Sequence, residues 1–361
     1  MTDPHVTYDV LVQQHLKILR DLQTSSGLFL ASRRGVKTGY DKAWLRDNFY
    51  ECLAFEQIGD WDTVRHTYQA ILKIFLRHEA KIDWALKQKP AQAYQYIHAR
   101  YNPESFEEFW EEWGNKQNDA VGCILFKVAE LEERGMAVLE SDNERRIVQK
   151  LVDYLVRLEY WRDPDSGIWE EREELHASSV GACLAGLNKV KTVLRYINVP
   201  DLALTQGRQA LDKLLPRESP DKFVDLALLT LIYPYDIVSA RQRDDILANI
   251  EYHLVKEKGV IRYKGDHYYN KNPDGRSEEA EWTFGLAFLS IIYHELGNEG
   301  KAHHYLELAK ETITPKGEEP ELYFSHTSEF NENTPLGWAE SMLIVAIMKL
   351  YEKHQPVVVA Q

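Results

Sequence analysis

Two neighbouring stretches set the fold of this chain: SDNERRIVQKLVDYLVRL (residues 141–158) and SSVGACLAGLN (residues 178–188). The first begins with a Ser/Asp cap signal and carries its charges along one face, so it predicts a helix with one side in water. The second contains no charge and many small residues. A helix of that composition needs neighbours on most of its sides. Together they predict a pair made of one outer and one inner helix.

The same pairing recurs along the whole chain. Amphipathic segments lie near 6–23, 61–88, 141–160, 201–214, 240–256 and 299–313. Each is followed by a more apolar one, near 46–58, 118–134, 178–194, 223–233, 279–296 and 335–352. Six such pairs predict an all-α toroid, an (α/α)6 barrel with six inner helices around its core. An open helical-repeat solenoid is the alternative, and it is disfavoured because no fixed sequence period is visible.

The chain is expected to form one domain. No Ser/Gly-rich linker divides residues 1–361, and the tail 354–361 is expected to be frayed. The connection 87–116 is too long for a simple link between helices, and long connections in compact domains are usually functional or disordered.

Composition excludes several classes of partner. The net charge of -14 argues against nucleic acid and anionic membrane surfaces. The N-terminus lacks a basic segment followed by an apolar run, so we expect no secretory signal and a cytoplasmic protein. The three cysteines are expected to be reduced core residues. The 13 histidines show no metal-ligand spacing, so neither a metal nor a cofactor is expected.

Unusual residues precede each inner helix, in loops that open on the same end of such a barrel. In chain order these are Trp44, Arg46 and Asp47; Trp113, Gln117 and Asp119; Trp169, Glu170 and Glu171; Arg217 and Glu218; Arg262; and Glu329, Glu332 and Trp338. Tryptophan rings stack on the apolar faces of pyranoses, while Asp, Arg and Gln bind paired hydroxyls. Their convergence predicts a pocket for a neutral polyhydroxylated ligand.

Single motifs also have plain structural explanations. Arg46 and Asp47 alone could form a structural ion pair, and Glu170 with Glu171 could be a solvated acidic turn. The functional interpretation depends on the order of these motifs along the chain and on their expected position at the same end of the barrel.

The quoted residues resemble glycoside hydrolase family 15, the family of glucoamylases, glucodextranases and some trehalases. The resemblance is carried by GLFLASRRGVKTGYDKAWLRDN, ARYN with WGNKQNDAVG, GIWEE with HASSVG, IRYKGDHYY, EAEW and TPLGWAES, in family order from residue 27 to residue 341. HARYN, KQNDAVG, LHASSVG, LLPRESP and KAWLRDN resemble as closely the glucoamylase-like domain of phosphorylase kinase alpha and beta subunits, which are regulatory proteins.

The resemblance implies roles for individual residues. Glu170 matches the family's general acid, and Glu171 matches a ligand of the sugar beyond the cleaved bond. The residues Trp44, Arg46 and Asp47 match the group that holds the terminal glucose. Trp113 resembles the tryptophan beside the acid, and Arg262 resembles a further substrate ligand.

The general base is expected before the last inner helix, where the family usually shows Glu-Gln. Glu329, in Ser328-Glu329-Phe330, is its natural match, with Glu332 as the alternative. Inversion by this pair needs the carboxyl groups roughly 6.5–9.5 Å apart.

Two functions therefore follow as hypotheses. The first is an inverting, exo-acting α-glucosidase that acts on maltodextrins or a related α-glucoside. The second is a glucan-binding regulatory or scaffold protein with little or no hydrolysis.

Overall fold

The computed structural model describes residues 4–111, 113–272 and 274–351, and it describes side chains from residue 8 onward. The expectation about residues 354–361 lies outside this part of the chain. Twelve α-helices are found within it: α1 (Pro4–Leu22), α2 (Leu45–Gln57), α3 (Trp61–Arg77), α4 (Glu79–Lys87), α5 (Asn118–Glu133), α6 (Asp142–Leu158), α7 (Ala177–Val193), α8 (Asp201–Leu214), α9 (Ala240–His253), α10 (Phe284–Glu295), α11 (Glu299–Lys310) and α12 (Gly337–Tyr351). The architecture is the expected all-α (α/α)6 barrel.

Inner and outer helices differ in burial as their sequences predict. Helices α2, α5, α7, α10 and α12 are buried over almost their whole length, whereas the outer helices bury one face. Small residues let the inner helices α5 and α7 meet backbone to backbone. A Cβ atom on Gly122 would lie 2.6 Å from the Cys183 nitrogen, and one on Gly186 would collide with the Gly122 carbonyl oxygen. The uncharged stretch 178–188 therefore has small residues because a neighbouring backbone occupies their space.

Two elements of the structure differ from the helices that the sequence predicts. The fourth inner element is a 3-10 helix of six residues, Leu226–Leu231. Pro234 follows closely, and the residue before a proline is disfavoured in helical conformation, so the apolar run is too short for a regular α-helix. The predicted helix 61–88 is divided at His78, whose Nε2 contacts the Phe106 carbonyl oxygen at 2.7 Å and so ties the long connection to the barrel.

Two short antiparallel strand pairs shape the rim. Strand β1 (Ala43–Trp44) pairs with β2 (Arg100–Tyr101), with Trp44 opposite Arg100. Strand β3 (Glu281–Trp282) pairs with β4 (Leu322–Tyr323), with Trp282 opposite Leu322. Each pair joins loops that are distant in sequence, so the side chains on them have fixed relative positions.

The three cysteines lie in the core. Cys52, Cys123 and Cys183 are buried and free, and burial raises the pKa of each thiol.

Within the described ranges, no helix is long and apolar enough to cross a membrane. The same ranges hold no group of three or more potential ligand side chains that could bind a metal ion.

Candidate active site

A pocket of about 530 Å³ opens where the loops before the inner helices converge. Its volume is in the range of ligand pockets. Aromatic rings form much of its wall: Tyr40, Trp44, Trp113, Trp169, Tyr268, Tyr269, Trp282 and Trp338. Its charged groups are Arg46, Asp47, Glu170, Glu171, Arg262 and Glu321.

Nine of the fifteen residues predicted to converge here line this pocket. They are Trp44, Arg46, Asp47, Trp113, Trp169, Glu170, Glu171, Arg262 and Trp338. Gln117 and Asp119 are buried behind the wall, where both accept hydrogen bonds from Arg46 Nη1, at 2.9 and 2.8 Å. They position other residues of the site. The other four, Arg217, Glu218, Glu329 and Glu332, are not on the pocket wall.

The Glu170 carboxylate is held by hydrogen-bond donors on both oxygens. Trp44 Nε1 donates to Oε1 at 2.7 Å, and Gln117 Nε2 donates to the same oxygen at 2.8 Å. Trp113 Nε1 donates to Oε2, and Arg46 Nη2 lies 3.5 Å from Oε1. Donors in these positions stabilise an ionised carboxylate and fix its orientation.

The backbone turn that presents Glu170 is tight. Its φ is +60°, in the left-handed region that is uncommon for residues other than glycine. A Cβ atom at Gly114 would lie 2.6 Å from the Glu170 carbonyl oxygen, so glycine lets the loop before α5 pack directly on this turn. The acidic pair is therefore a constrained structure that directs its two side chains to different partners.

Glu171 binds a different set of groups on the same wall. Arg262 Nη2 donates to its Oε1 at 2.8 Å, Tyr263 Oη donates to Oε2 at 2.7 Å, and Lys222 Nζ donates to Oε2 at 2.9 Å. Burial opposes ionisation of Glu171, but Arg262 and Lys222 outweigh it and lower the pKa. Arg262 is in turn fixed by Asp266, with Nε 2.7 Å from Oδ2.

Arg46 and Asp47 begin helix α2 at the base of the pocket and have different environments. Arg46 uses Nη1 for Asp119 and Gln117, and Nη2 for the Ile168 carbonyl oxygen at 2.8 Å. Burial raises the pKa of Asp47 to about 7, although Arg46 acts in the opposite direction. Arg46 is thus tied to the protein, whereas Asp47 is a desolvated carboxyl group on the pocket wall.

A second buried carboxyl group comes from Glu321, directly before strand β4. Its Oε2 accepts hydrogen bonds from Asn331 Nδ2 at 2.5 Å and Asn333 Nδ2 at 2.8 Å. Its Oε1 is buried and lacks a hydrogen-bond partner among the described residues. Burial raises the pKa of Glu321, and the bonds from Asn333 and Asn331 oppose that effect.

The structure places the two glutamates predicted as the base elsewhere. Both Glu329 and Glu332 are exposed, and neither lines the pocket. The segment after β4 turns outward, with Thr327 Oγ1 accepting from Glu329 N at 3.1 Å, so Glu329 lies in the turn while Glu321 faces the pocket.

Sequence reasoning also missed Tyr40, Tyr268, Tyr269 and Trp282 as wall residues. For Glu321 a signal was present in the sequence. It is an acidic residue between Pro320 and the apolar run Leu322-Tyr323-Phe324, where a solvated charge is out of place.

Comparison with known proteins follows this geometry. The family model described as Glycosyl hydrolases family 15 matches residues 8–280, more than half of the chain. Among curated proteins, the chain is similar to a probable phosphorylase b kinase regulatory subunit alpha of Caenorhabditis elegans, with 27% identity over 380 residues covering 86% of this chain and 30% of that protein. The skeletal muscle isoform of Oryctolagus cuniculus is 26% identical, with 94% of this chain and 32% of that protein covered. The chain thus spans about a third of the length of these relatives.

Solved structures share the fold. A glycosidase variant in complex with glucose has a TM-score of 0.83 at 20% identity, with 97% of this chain and 99% of that chain covered. A glucoamylase from Saccharomycopsis fibuligera has a TM-score of 0.69 at 15% identity, covering 97% and 96%. A bacterial glucoamylase complexed with acarbose has a TM-score of 0.68 at 15% identity, covering 96% and 58%.

Proposed function

The chain belongs to the glycosyl hydrolases family 15, and we propose that it is an inverting, exo-acting α-glucosidase of glucoamylase type. Its substrate is the terminal glucose of a maltodextrin or a related α-glucoside. The observation that carries the proposal is the presence of two carboxyl groups from different elements on the wall of one aromatic pocket, the partly buried Glu170 and the buried Glu321.

In this proposal Glu170 is the general acid. Protonated Glu170 donates its proton to the glycosidic oxygen, which becomes a hydroxyl group of the remaining sugar chain as the bond to the terminal glucose breaks. The indole donors of Trp44 and Trp113 hold the carboxyl group in place and then stabilise the carboxylate that proton transfer produces.

Glu321 takes the role of general base in place of Glu329. Its buried Oε1 has no partner within the described ranges, whereas Asn331 and Asn333 hold Oε2. An ionised Oε1 accepts a proton from the attacking water, whose oxygen bonds to the anomeric carbon as the glycosidic bond breaks.

The other polar groups hold the substrate. We propose that Asp47 binds outer hydroxyls of the terminal glucose with help from Arg46. Glu171 and Arg262 bind the unit beyond the cleaved bond. Aromatic walls such as Trp338 and Trp282 cover the apolar faces of the sugar rings.

Hydrolysis is tested by incubating the purified protein with maltose, isomaltose, trehalose, kojibiose and longer dextrins while glucose release is measured. The proposal expects release from at least one of them, and a loss of about 10²–10⁴-fold in Glu170→Gln with the sugar still bound. An amide keeps the shape of the carboxyl group but has no acidic proton to give. A variant as fast as wild type would remove Glu170 from the acid role.

A second candidate is a glucan-binding regulatory protein without hydrolysis. It is favoured by the similarity to phosphorylase b kinase regulatory subunits. The donors on both Glu170 oxygens favour it as well, because a protonated acid has to give up one of them. This candidate would be established if the protein bound a sugar of the panel but released glucose from none of them.

A further inference from the structure

Three aromatic rings form a row on the surface outside the pocket. The Phe223 and His253 rings are 4.9 Å apart at 88°, and the Tyr252 and His253 rings are 4.7 Å apart at 84°. Tyr252 is 84% exposed and Phe223 is 39% exposed. The two rings that pack on the imidazole are therefore both accessible to solvent, as a cluster and not as scattered single side chains. We call Phe223, Tyr252 and His253 the aromatic row.

The aromatic row lies on the end of the barrel that carries the pocket. Phe223 is in the loop before the fourth inner element, and Tyr252 and His253 form the last turn of the outer helix α9. Outer and inner helices run in opposite directions, so the last turn of an outer helix is at the same rim as the start of an inner one.

The aromatic row is connected to the pocket through the sequence neighbour of Phe223. Lys222, the residue before Phe223, donates to Glu171 Oε2 at 2.9 Å, and its Nζ lies 3.8 Å from the centre of the Tyr263 ring. Tyr263 also binds Glu171. Glu171 is the group assigned above to the sugar beyond the cleaved bond, so the row begins where the rest of a longer substrate leaves the pocket.

We propose that the aromatic row is a binding platform for further glucose units of an α-glucan chain, beyond the unit held by Glu171. This inference rests on the proposed sugar pocket and adds a surface site for the part of a longer glucan that lies outside it. Exposed ring faces suit the apolar faces of pyranoses, and each such contact contributes modestly to affinity.

The test compares binding of a short and a long sugar by titration calorimetry. The probes are maltose with maltoheptaose, and isomaltose with isomaltoheptaose, on the full chain carrying Glu170→Gln so that nothing is cleaved. The variants Tyr252→Ala and Phe223→Ala should each lower the ratio of long-chain to disaccharide affinity by about 2- to 10-fold in one of the two series. Tyr252→Phe, which keeps the ring, should restore the ratio.

Tyr196→Ala is the matched control. Tyr196 is 56% exposed but follows the inner helix α7, at the opposite end of the barrel, so its removal should leave the ratio at the starting value. An unchanged ratio in both Tyr252→Ala and Phe223→Ala overturns the platform, and so does an equal loss for short and long sugars. A protein that releases no glucose yet shows the ratio change fails as a hydrolase while the platform stands. Loss of a protein partner in Tyr252→Ala with the sugar ratio unchanged would assign the row to that partner instead.

Discussion

Trp44 Nε1 donates a hydrogen bond of 2.7 Å to Glu170 Oε1, which couples strand β1 to the turn that carries the proposed acid. Trp113 donates to the other carboxyl oxygen from a different loop. The indoles thus have a polar role in addition to lining the wall. Substitution of a tryptophan by phenylalanine can therefore test the N–H group separately from the aromatic ring.

Replacing Trp44 by Phe should lower kcat by roughly 10- to 150-fold, because the ring remains while a bond of about 1.5–3 kcal/mol to a charged group is lost. Trp338 is the control in the same pocket. Its Nε1 is buried without a partner in the described part of the chain, and its ring stacks 4.1 Å from Tyr50 and 4.5 Å from Phe284. Trp338→Phe should stay within a few-fold of wild type. Equal losses in the two variants would show that only ring packing matters.

Arg46 and Asp47 should differ in their effects on stability. Arg46→Ala leaves the buried Asp119 without its ion pair and should lower the free energy of unfolding by about 3–5 kcal/mol. Asp47→Ala removes a carboxyl group that burial already disfavours, so it should weaken sugar binding with little loss of stability. Urea unfolding and sugar titration measure the two quantities. If Asp47→Ala unfolded as easily as Arg46→Ala and bound sugar normally, Asp47 would be structural.

The base assignment is tested by a matched pair of glutamate variants. Glu321→Ala should lose about 10²–10⁴-fold in kcat, and azide, a small anionic nucleophile, should restore cleavage in the space left by the side chain. Glu329→Ala should remain near wild type because its side chain is exposed and off the pocket wall. The opposite result, an inactive Glu329→Ala with an active Glu321→Ala, would return the role to the residue expected from sequence.

Stability should fall at alkaline pH through His176. Burial lowers its pKa, but the hydrogen bond and charge of Glu218 outweigh this and raise it from 6.5 to about 9. A pKa raised by folding stabilises the protein fully below the unfolded value, and this is lost as pH rises through the folded value. The loss is about 3 kcal/mol between pH 6.5 and 9.

His176→Gln is expected to remove the part of this pH dependence that comes from the His176–Glu218 pair. Asp47, Asp165 and Asp225 each have a pKa raised by burial to about 7, so their stabilising contribution is already lost above that pH. The buried thiols of Cys52, Cys123 and Cys183, whose pKa is raised in the fold, lower the stability of both proteins at the alkaline end of this range. The contribution of His176 is therefore the difference between the wild-type and His176→Gln slopes in urea unfolding between pH 7.5 and 9.5. The same slope in wild type and His176→Gln would exclude the His176–Glu218 pair as its source.

The fold could be predicted from sequence because inner helices such as α5, α7, α10 and α12 consist mostly of apolar and small residues, which suit burial on all sides. The small residues Gly122 and Gly186 are an example, since the close contact of α5 and α7 leaves no room for a Cβ atom. The prediction was less accurate at two places where the helix ends or is interrupted although the apolar pattern continues. Pro234 limits the length of the fourth inner element, and the helix expected over 61–88 is interrupted at His78.

Only the part of the site that lies next to the starts of the inner helices could be predicted from the sequence. Residues next to the starts of inner helices, such as Arg46 and Glu170, could be found from their order along the chain. Glu321 was missed because it precedes strand β4 and lies well before α12, where sequence position alone does not show which of several glutamates faces the pocket. That choice depends on the pairing of β3 with β4.

The most direct measurement is the configuration of the glucose first released from the best α-glucoside, followed by proton NMR before mutarotation. Attack of water activated by Glu321, with the proton supplied by Glu170, predicts β-glucose as the first product. Release of α-glucose first, or no glucose from any substrate that the pocket binds, would contradict the account.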